Sequence, residues 1–269
     1  MTLRTLLRRE QRSFCGVVHL GPLPGAPRFA GSLDAVLERA CADARALVEG
    51  GVDCLIVENF GDAPFHAEHV PAETIAGLAR ALTEVAPLCG ERPLGVNVLR
   101  NDARAALGLC ASTPASFLRV NVHTGAMVTD QGVVEGRAAE TLRERSRLAP
   151  EAVLLADVHV KHATPLGSES LEEAADEAFG RGGADALILS GLRTGGAVDL
   201  EHLVRVRERL PEAPLWIGSG LTADNAAALL PRVDGAIVGT ALKEGGQVLA
   251  PVDPARVARL RAAFDAAAG

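Results

Sequence analysis

Eight short runs of β-type residues, each followed by a stretch of helical periodicity, constrain this chain more than any other feature. The runs are Gly16–Leu20, Asp53–Glu58, Leu94–Val98, Phe117–Val122, Val153–Val158, Asp185–Ser190, Leu215–Gly218 and Asp234–Gly239. Between them, apolar residues recur near every 3.6 positions in stretches such as Ser32–Glu49, Pro71–Val85, Arg137–Leu148, Ser170–Arg181 and Leu200–Leu210, which is the spacing of an amphipathic helix. A helical crossover leaves consecutive strands parallel. Eight such units in 269 residues, about 34 residues each, predict an α/β fold, a closed (β/α)8 or TIM barrel, as a single domain over 1–269 with 1–13 as an N-terminal extension. An open doubly wound sheet is the alternative. It is weakened because no GxGxxG follows the first strand and the Gly-rich turns come at strands seven and eight instead.

Start and stop signals agree. Ser32, Asp102, Ser170, Asp199 and Thr222 stand where helix N-caps belong, and Gly50-Gly51 and Gly182-Gly183 close helices before the next strand. The phrase Gly-Gly-(Val/Ala)-Asp-x-Leu-Ile occurs at both Gly50–Ile56 and Gly182–Ile188, marking equivalent helix-to-strand turns. Hydrophobic residues at 48% supply a core, yet no apolar run approaches the ~20 residues that span a bilayer. A net charge of −7 argues against nucleic acid as a partner. Five cysteines with neither CxxC nor zinc-type spacing read as reduced thiols, and the Arg-rich N-terminus lacks the apolar segment of a secretory signal, so a cytoplasmic location is expected.

In a barrel the functional face lies at the C-terminal strand ends. Of the seven histidines, His19, His66, His69, His123, His159 and His162 fall at or just after strand ends, and only His202 sits in a helix. Of 27 basic residues only Lys161 and Lys243 are lysines, each just after a strand; an amine can deprotonate or form a Schiff base where guanidinium cannot. Alternation along strand four puts Arg119, Asn121 and His123 on one face, and along strand five Asp157, His159 and Lys161. An unpaired charge there costs several kcal/mol, so Arg119 needs a carboxylate, Asp157 or Glu58. The catalytic candidates are therefore Asp157, His159, Lys161, Glu58, His19 and His123, able to move protons next to a carbonyl or glycosidic carbon. Arg119, Asn97, Asn121 and Ser190 are candidate substrate-binding residues. A divalent metal could use the same His and carboxylate set, but no recognised ligand spacing calls for one, and no organic cofactor is indicated.

Strand seven runs into Gly218-Ser219-Gly220-Leu221-Thr222, with Thr222 read as opening a helix, and strand eight into Gly239-Thr240-Ala241-Leu242-Lys243. Glycine lets backbone N–H groups approach an anion, and barrels commonly hold phosphate at these two turns. Gly218, Ser219, Gly220, Gly239 and Thr240 are the candidate phosphate-binding residues, and a phosphorylated small molecule the expected partner. The Pro-rich loop Gly21–Pro27 suits either a rim over the site or a plain connection. A homo-oligomer is the default for a barrel with Ala-rich outer helices.

Taken together, His19–Gly25 (H-L-G-P-L-P-G), Glu58-Asn59-Phe60, Gly95–Asn101, Arg119-Val120-Asn121, Asp157–His162 (D-V-H-V-K-H) and Gly218-Ser219-Gly220 resemble the BtpA/SgcQ family over residues 14 to 265. The resemblance implies a TIM barrel related to phosphate-binding barrels. The family was named for photosystem I biogenesis, while similar proteins sit in settings that suggest sugar or nucleoside metabolism. Two functions are thus expected to compete: an isomerase, lyase or glycosidic hydrolase acting on a phosphorylated sugar or nucleoside-derived substrate, and a non-catalytic assembly or stability factor for a membrane complex such as photosystem I. Crowding of costly polar groups at one end favours the enzyme.

Overall fold

Parallel pairing closes the sheet on itself. The computed structural model describes residues 7, 12–160, 163–191 and 199–268; Lys161 and His162 lie outside them. The barrel strands are β1 (Ser13–His19), β2 (Cys54–Glu58), β3 (Leu94–Asn97), β4 (Ala115–Val120), β7 (Val153–Val158), β9 (Ala186–Leu189), β10 (Leu215–Ile217) and β11 (Gly235–Val238), in the closed order β1-β11-β10-β9-β7-β4-β3-β2. All eight sequence runs are therefore strands, though the first begins at Ser13 rather than Gly16. The helices among the described residues are α1 (Leu33–Glu49), α2 (Ala72–Cys89), α3 (Ala103–Ser112), α4 (Ala138–Leu148), α5 (Leu171–Asp176), α6 (Leu200–Arg209), α7 (Ala226–Leu229) and α8 (Pro254–Ala268). This is a (β/α)8 barrel.

Local chemistry sets the element ends. Ser32, Asp102 and Ser170 each accept an N–H three residues on, and Ser170 forms a capping box with Glu173. Gly183 turns the chain at φ +63, where a side chain would be strained. Thr222 departs from the expectation. The helix there is only four residues long and starts at Ala226, while the Thr222 N–H donates to Asn225 Oδ1 at 2.8 Å, so the Asn side chain closes a loop where a helix was read.

Two apolar layers flank the sheet. Outward residues such as Leu55, Val57, Val96 and Leu118 pack under the helices. Inward, Cys15, Val17, Cys54, Ile56, Phe117, Leu155, Ile188, Trp216 and Ile237 fill the barrel. Gly95 and Gly235 make room for its two largest rings, because a Cβ would lie 2.2 Å from Phe117 and 2.6 Å from Trp216. The five cysteines are all free thiols. None of the helices among the described residues is long and apolar enough to cross a membrane.

An excursion interrupts the pattern after β4. Strands β5 (Ala126–Thr129) and β6 (Gly132–Glu135) form a hairpin, which β8 (Ala163–Pro165) extends to a three-stranded antiparallel sheet. The loop after β1 is a fixed connection: Leu23 is fully buried and its N–H donates to Asp62 Oδ1 at 2.8 Å.

Candidate functional site

Register brings the polar residues together. His19 pairs with Glu58, Glu58 with Asn97, and Asn97 with Arg119, so four adjacent strands carry one row of polar side chains at their C-terminal ends. In-register neighbours in a parallel sheet point to the same side, and this row caps the apolar barrel filling directly. Arg119 is its hub. Its Nε and Nη2 donate to the two oxygens of Asp157, each at 2.9 Å, and its Nη1 donates to Glu58 Oε1 at 3.4 Å. Burial pulls the guanidinium pKa down, but Asp157 and Glu58 outweigh it and raise the pKa above the ordinary arginine value. The arginine is a permanent cation locked between two carboxylates.

The amides serve these carboxylates. Asn97 Nδ2 donates to Glu58 Oε1 at 3.1 Å and Asn121 Nδ2 to Asp157 Oδ2 at 2.7 Å, while Ser190 Oγ lies 3.4 Å from Asp157 Oδ1. The structure therefore turns Asn97, Asn121 and Ser190 toward the ion network. His19 Nε2 stands 3.9 Å from Glu58 Oε2 and its ring tilts against Phe60. Arg100, buried after β3, lies close enough for the charges of Asp157 and Glu58 to act on it.

A cavity of 540 Å³ opens beside this row, within the span of small-molecule sites. His19, Glu58 and Arg119 line its inner end. Both Gly-rich turns, Gly218–Thr222 and Gly239–Leu242, line its middle. Its outer end is formed by Asp224 and by Arg256, Arg259 and Leu260 of α8. Gly218, Ser219, Gly220, Gly239 and Thr240 thus share one wall. Two of these glycines have a steric reason as well: a Cβ on Gly239 would lie 2.5 Å from His19 Cε1, and one on Gly218 2.5 Å from Ser190 Oγ.

His123, His159 and Lys243 do not line this cavity. Inward alternation holds for Arg119 and Asn121, but β4 ends at Val120, and by His123 the chain has left the extended state on which alternation depends. Asn101 pins this exit, accepting the Val122 N–H at 2.8 Å and donating to the Val122 carbonyl at 2.9 Å. His123 is buried with Nε2 2.7 Å from the carbonyl of Gly182, just past a helix end whose carbonyls need partners. His159 follows the end of β7 with φ +49, which breaks the alternation, and it lines a second, small cavity together with Asp157, Asn121, Glu169 and Glu177. Lys161, as stated, is outside the described residues. Lys243 is turned away from the cavity: its Nζ donates to Asp43 of α1 at 2.5 Å, and the pair is buried. Among the described residues, no group of three or more His, Cys, Asp or Glu is placed to hold a metal ion.

Burial holds both His123 and His159 below the ordinary histidine value of about 6.5. The unfolded chain takes up protons as pH falls through that value while the folded chain resists. The stability these residues contribute is complete above about pH 6.5 and declines on acidification toward their folded pKa values. The melting temperature is expected to fall between about pH 7 and pH 5, less steeply in His123→Gln, whose amide can still donate to Gly182. Identical slopes in the two proteins would remove His123 from this account.

A parallel eight-stranded barrel with a cavity that joins the buried Glu58–Arg119 pair to glycine-rich turns is, by architecture, a TIM barrel with a polar mouth. Solved structures of that fold superpose on it. Thiamine phosphate pyrophosphorylase from Pyrococcus furiosus matches with a TM-score of 0.59 at 17% identity, covering all of both chains. N-(5'-phosphoribosyl)anthranilate isomerase from the same organism matches with a TM-score of 0.58 at 13% identity, covering 95% of this chain and 100% of that one. The chain belongs to the BtpA family, whose model matches residues 10–266. The photosystem I biogenesis protein BtpA of Synechocystis is 46% identical over 242 residues, 90% of this chain and 84% of that protein. The putative sgc region protein SgcQ of Escherichia coli is 32% identical over 253 residues, 93% of this chain and 92% of that one.

Proposed function

We propose that this protein is an enzyme that acts on a small phosphorylated sugar or nucleoside-derived substrate by isomerisation, carbon–carbon cleavage or glycosidic cleavage. One observation carries the reading: His19, Glu58 and Arg119 line the same cavity as the Gly218–Thr222 and Gly239–Leu242 turns. A phosphate on the turns would set the rest of the molecule against the polar row. Glu58 and His19 are the acid/base pair, a carboxylate and an imidazole side by side, with different intrinsic acidities as proton transfer requires. Arg119 supplies positive charge where an oxyanion develops. Asp157, gripped through both oxygens, is a positioning residue for Arg119. The names of the two barrel enzymes above, both concerned with phosphorylated small molecules, support the same substrate class.

A second reading follows from the name of the Synechocystis relative: an assembly factor for photosystem I that works through its surface. A melting-temperature screen separates the two, since a ligand that binds only the folded state raises the transition. Ribose 5-phosphate and nucleoside monophosphates are the first probes. Glu58→Gln is expected to keep the phosphate-dependent shift while turnover of any substrate found falls by about 10²-fold or more. A panel in which no phosphorylated compound moves the transition would favour the assembly factor.

A further inference from the structure

We infer that the cavity takes a ligand with two anionic groups, a diphosphate ester, and that Arg256 and Arg259 hold the outer one. This rests on the phosphate reading above and extends it. The cavity continues past the Gly-rich turns to α8, which faces it with Arg256, Arg259 and Leu260, at spacings of three and four that share one side of a helix. The turns offer backbone N–H groups to a first phosphate. Gly220 and Leu221 on one turn, and Thr240 and Ala241 on the other, line the cavity. The two guanidinium groups lie beyond these turns, and a monophosphate seated on the turns leaves them without a ligand role.

Their present partners point the same way. Arg256 Nη1 donates to the carbonyl of Ala241, at the rim of the second turn, at 3.2 Å. Arg259 Nη2 lies 2.5 Å from Oδ1 of Asp224, which lines the cavity too. Arg256 Nε also stands 3.7 Å from Asp253, which is outside the cavity lining, so within the lining the two guanidinium groups face one carboxylate, Asp224. Guanidinium matches phosphate oxygens in a two-pronged geometry. Asp224 then acts as an internal competitor, occupying Arg259 until a second phosphate displaces it.

Titration calorimetry of the whole chain with inorganic phosphate and pyrophosphate, at fixed ionic strength, tests this. Pyrophosphate is expected to bind about tenfold or more tightly than phosphate. In the double variant Arg256→Gln/Arg259→Gln the two affinities should converge, with phosphate binding changed by no more than about twofold. Asp224→Asn should tighten pyrophosphate by freeing Arg259. Arg143→Gln on α4, across the barrel from β11, should leave the ratio as it was, so that loss of overall charge is distinguished from loss of the subsite. Equal affinities in the parent protein, or a double variant that loses both anions alike, would overturn the second subsite and leave a single-phosphate site standing. If neither anion binds, the phosphate reading falls with it.

Discussion

Replacing Arg119 with methionine is expected to lower stability by about 3–5 kcal/mol, a large share of the ~5–15 kcal/mol that holds an ordinary domain folded. The size follows from what is left behind. The Asp157 side chain is 0% exposed and that of Glu58 5%, and both are bridged by this one guanidinium. Methionine fills the volume but removes the one guanidinium that hydrogen-bonds to both carboxylates in a low-dielectric interior. Asn97 and Asn121 still donate one hydrogen bond to each, which does not offset a charge. Denaturant unfolding measures the loss, and it should shrink on acidification, because a protonated carboxyl needs no counter-ion. Arg119→Lys is the instructive companion. It keeps the charge but cannot supply three donors in a fixed plane, so it should recover part of the stability and none of the two-pronged grip on Asp157. A methionine variant within about 1 kcal/mol of the parent would mean that the network is not the keystone of the mouth.

How much of this site the sequence discloses depends on how far each kind of signal reaches. Strand positions were legible because period-two apolar runs and paired glycines are local. That Arg119 must meet Asp157 or Glu58 was legible too, since a buried cation on an inward face has few partners; the structure supplies both. The row His19, Glu58, Asn97 and Arg119 was not legible as a row, because cross-strand register depends on how the closed sheet shears. His123 and His159 show the limit of alternation, which holds only while the backbone stays extended: β4 stops at Val120, and His159 sits at φ +49. The hairpin of β5 and β6 did leave a signal, Met127-Val128 and Val133-Val134 flanking Asp130-Gln131-Gly132, overshadowed by the barrel rhythm. Arg256 and Arg259 were hidden among the many surface arginines of the outer helices, and only the cavity singles them out.

Lys243 gives the second large effect and separates rarity from chemistry. One of two lysines in the chain, it follows the eighth strand, which invites a catalytic reading; its ammonium is instead buried against Asp43, two hundred positions away in sequence. Burial pulls its pKa down, and the hydrogen bond and charge of Asp43 oppose that pull. Asp43 also accepts the Val252 N–H at 2.9 Å through its other oxygen, so the pair ties α1 to the segment that leads into α8. Arg39 Nε, 3.1 Å from Asp43 Oδ1, remains as a second cation for that carboxylate, so Lys243→Met should lower stability by about 1–3 kcal/mol, while phosphate affinity of the folded fraction stays unchanged because Nζ is turned away from the cavity. Asp43→Asn combined with Lys243→Met is expected to recover most of the loss. The Asn oxygen can still take the Val252 N–H, and no unpaired charge remains buried. A double-mutant cycle in urea reads the coupling directly. If Lys243→Met were instead stable but unable to bind phosphate, the ammonium would belong to the ligand, and the α1 tie would have to be reassigned to the backbone contacts around Val252.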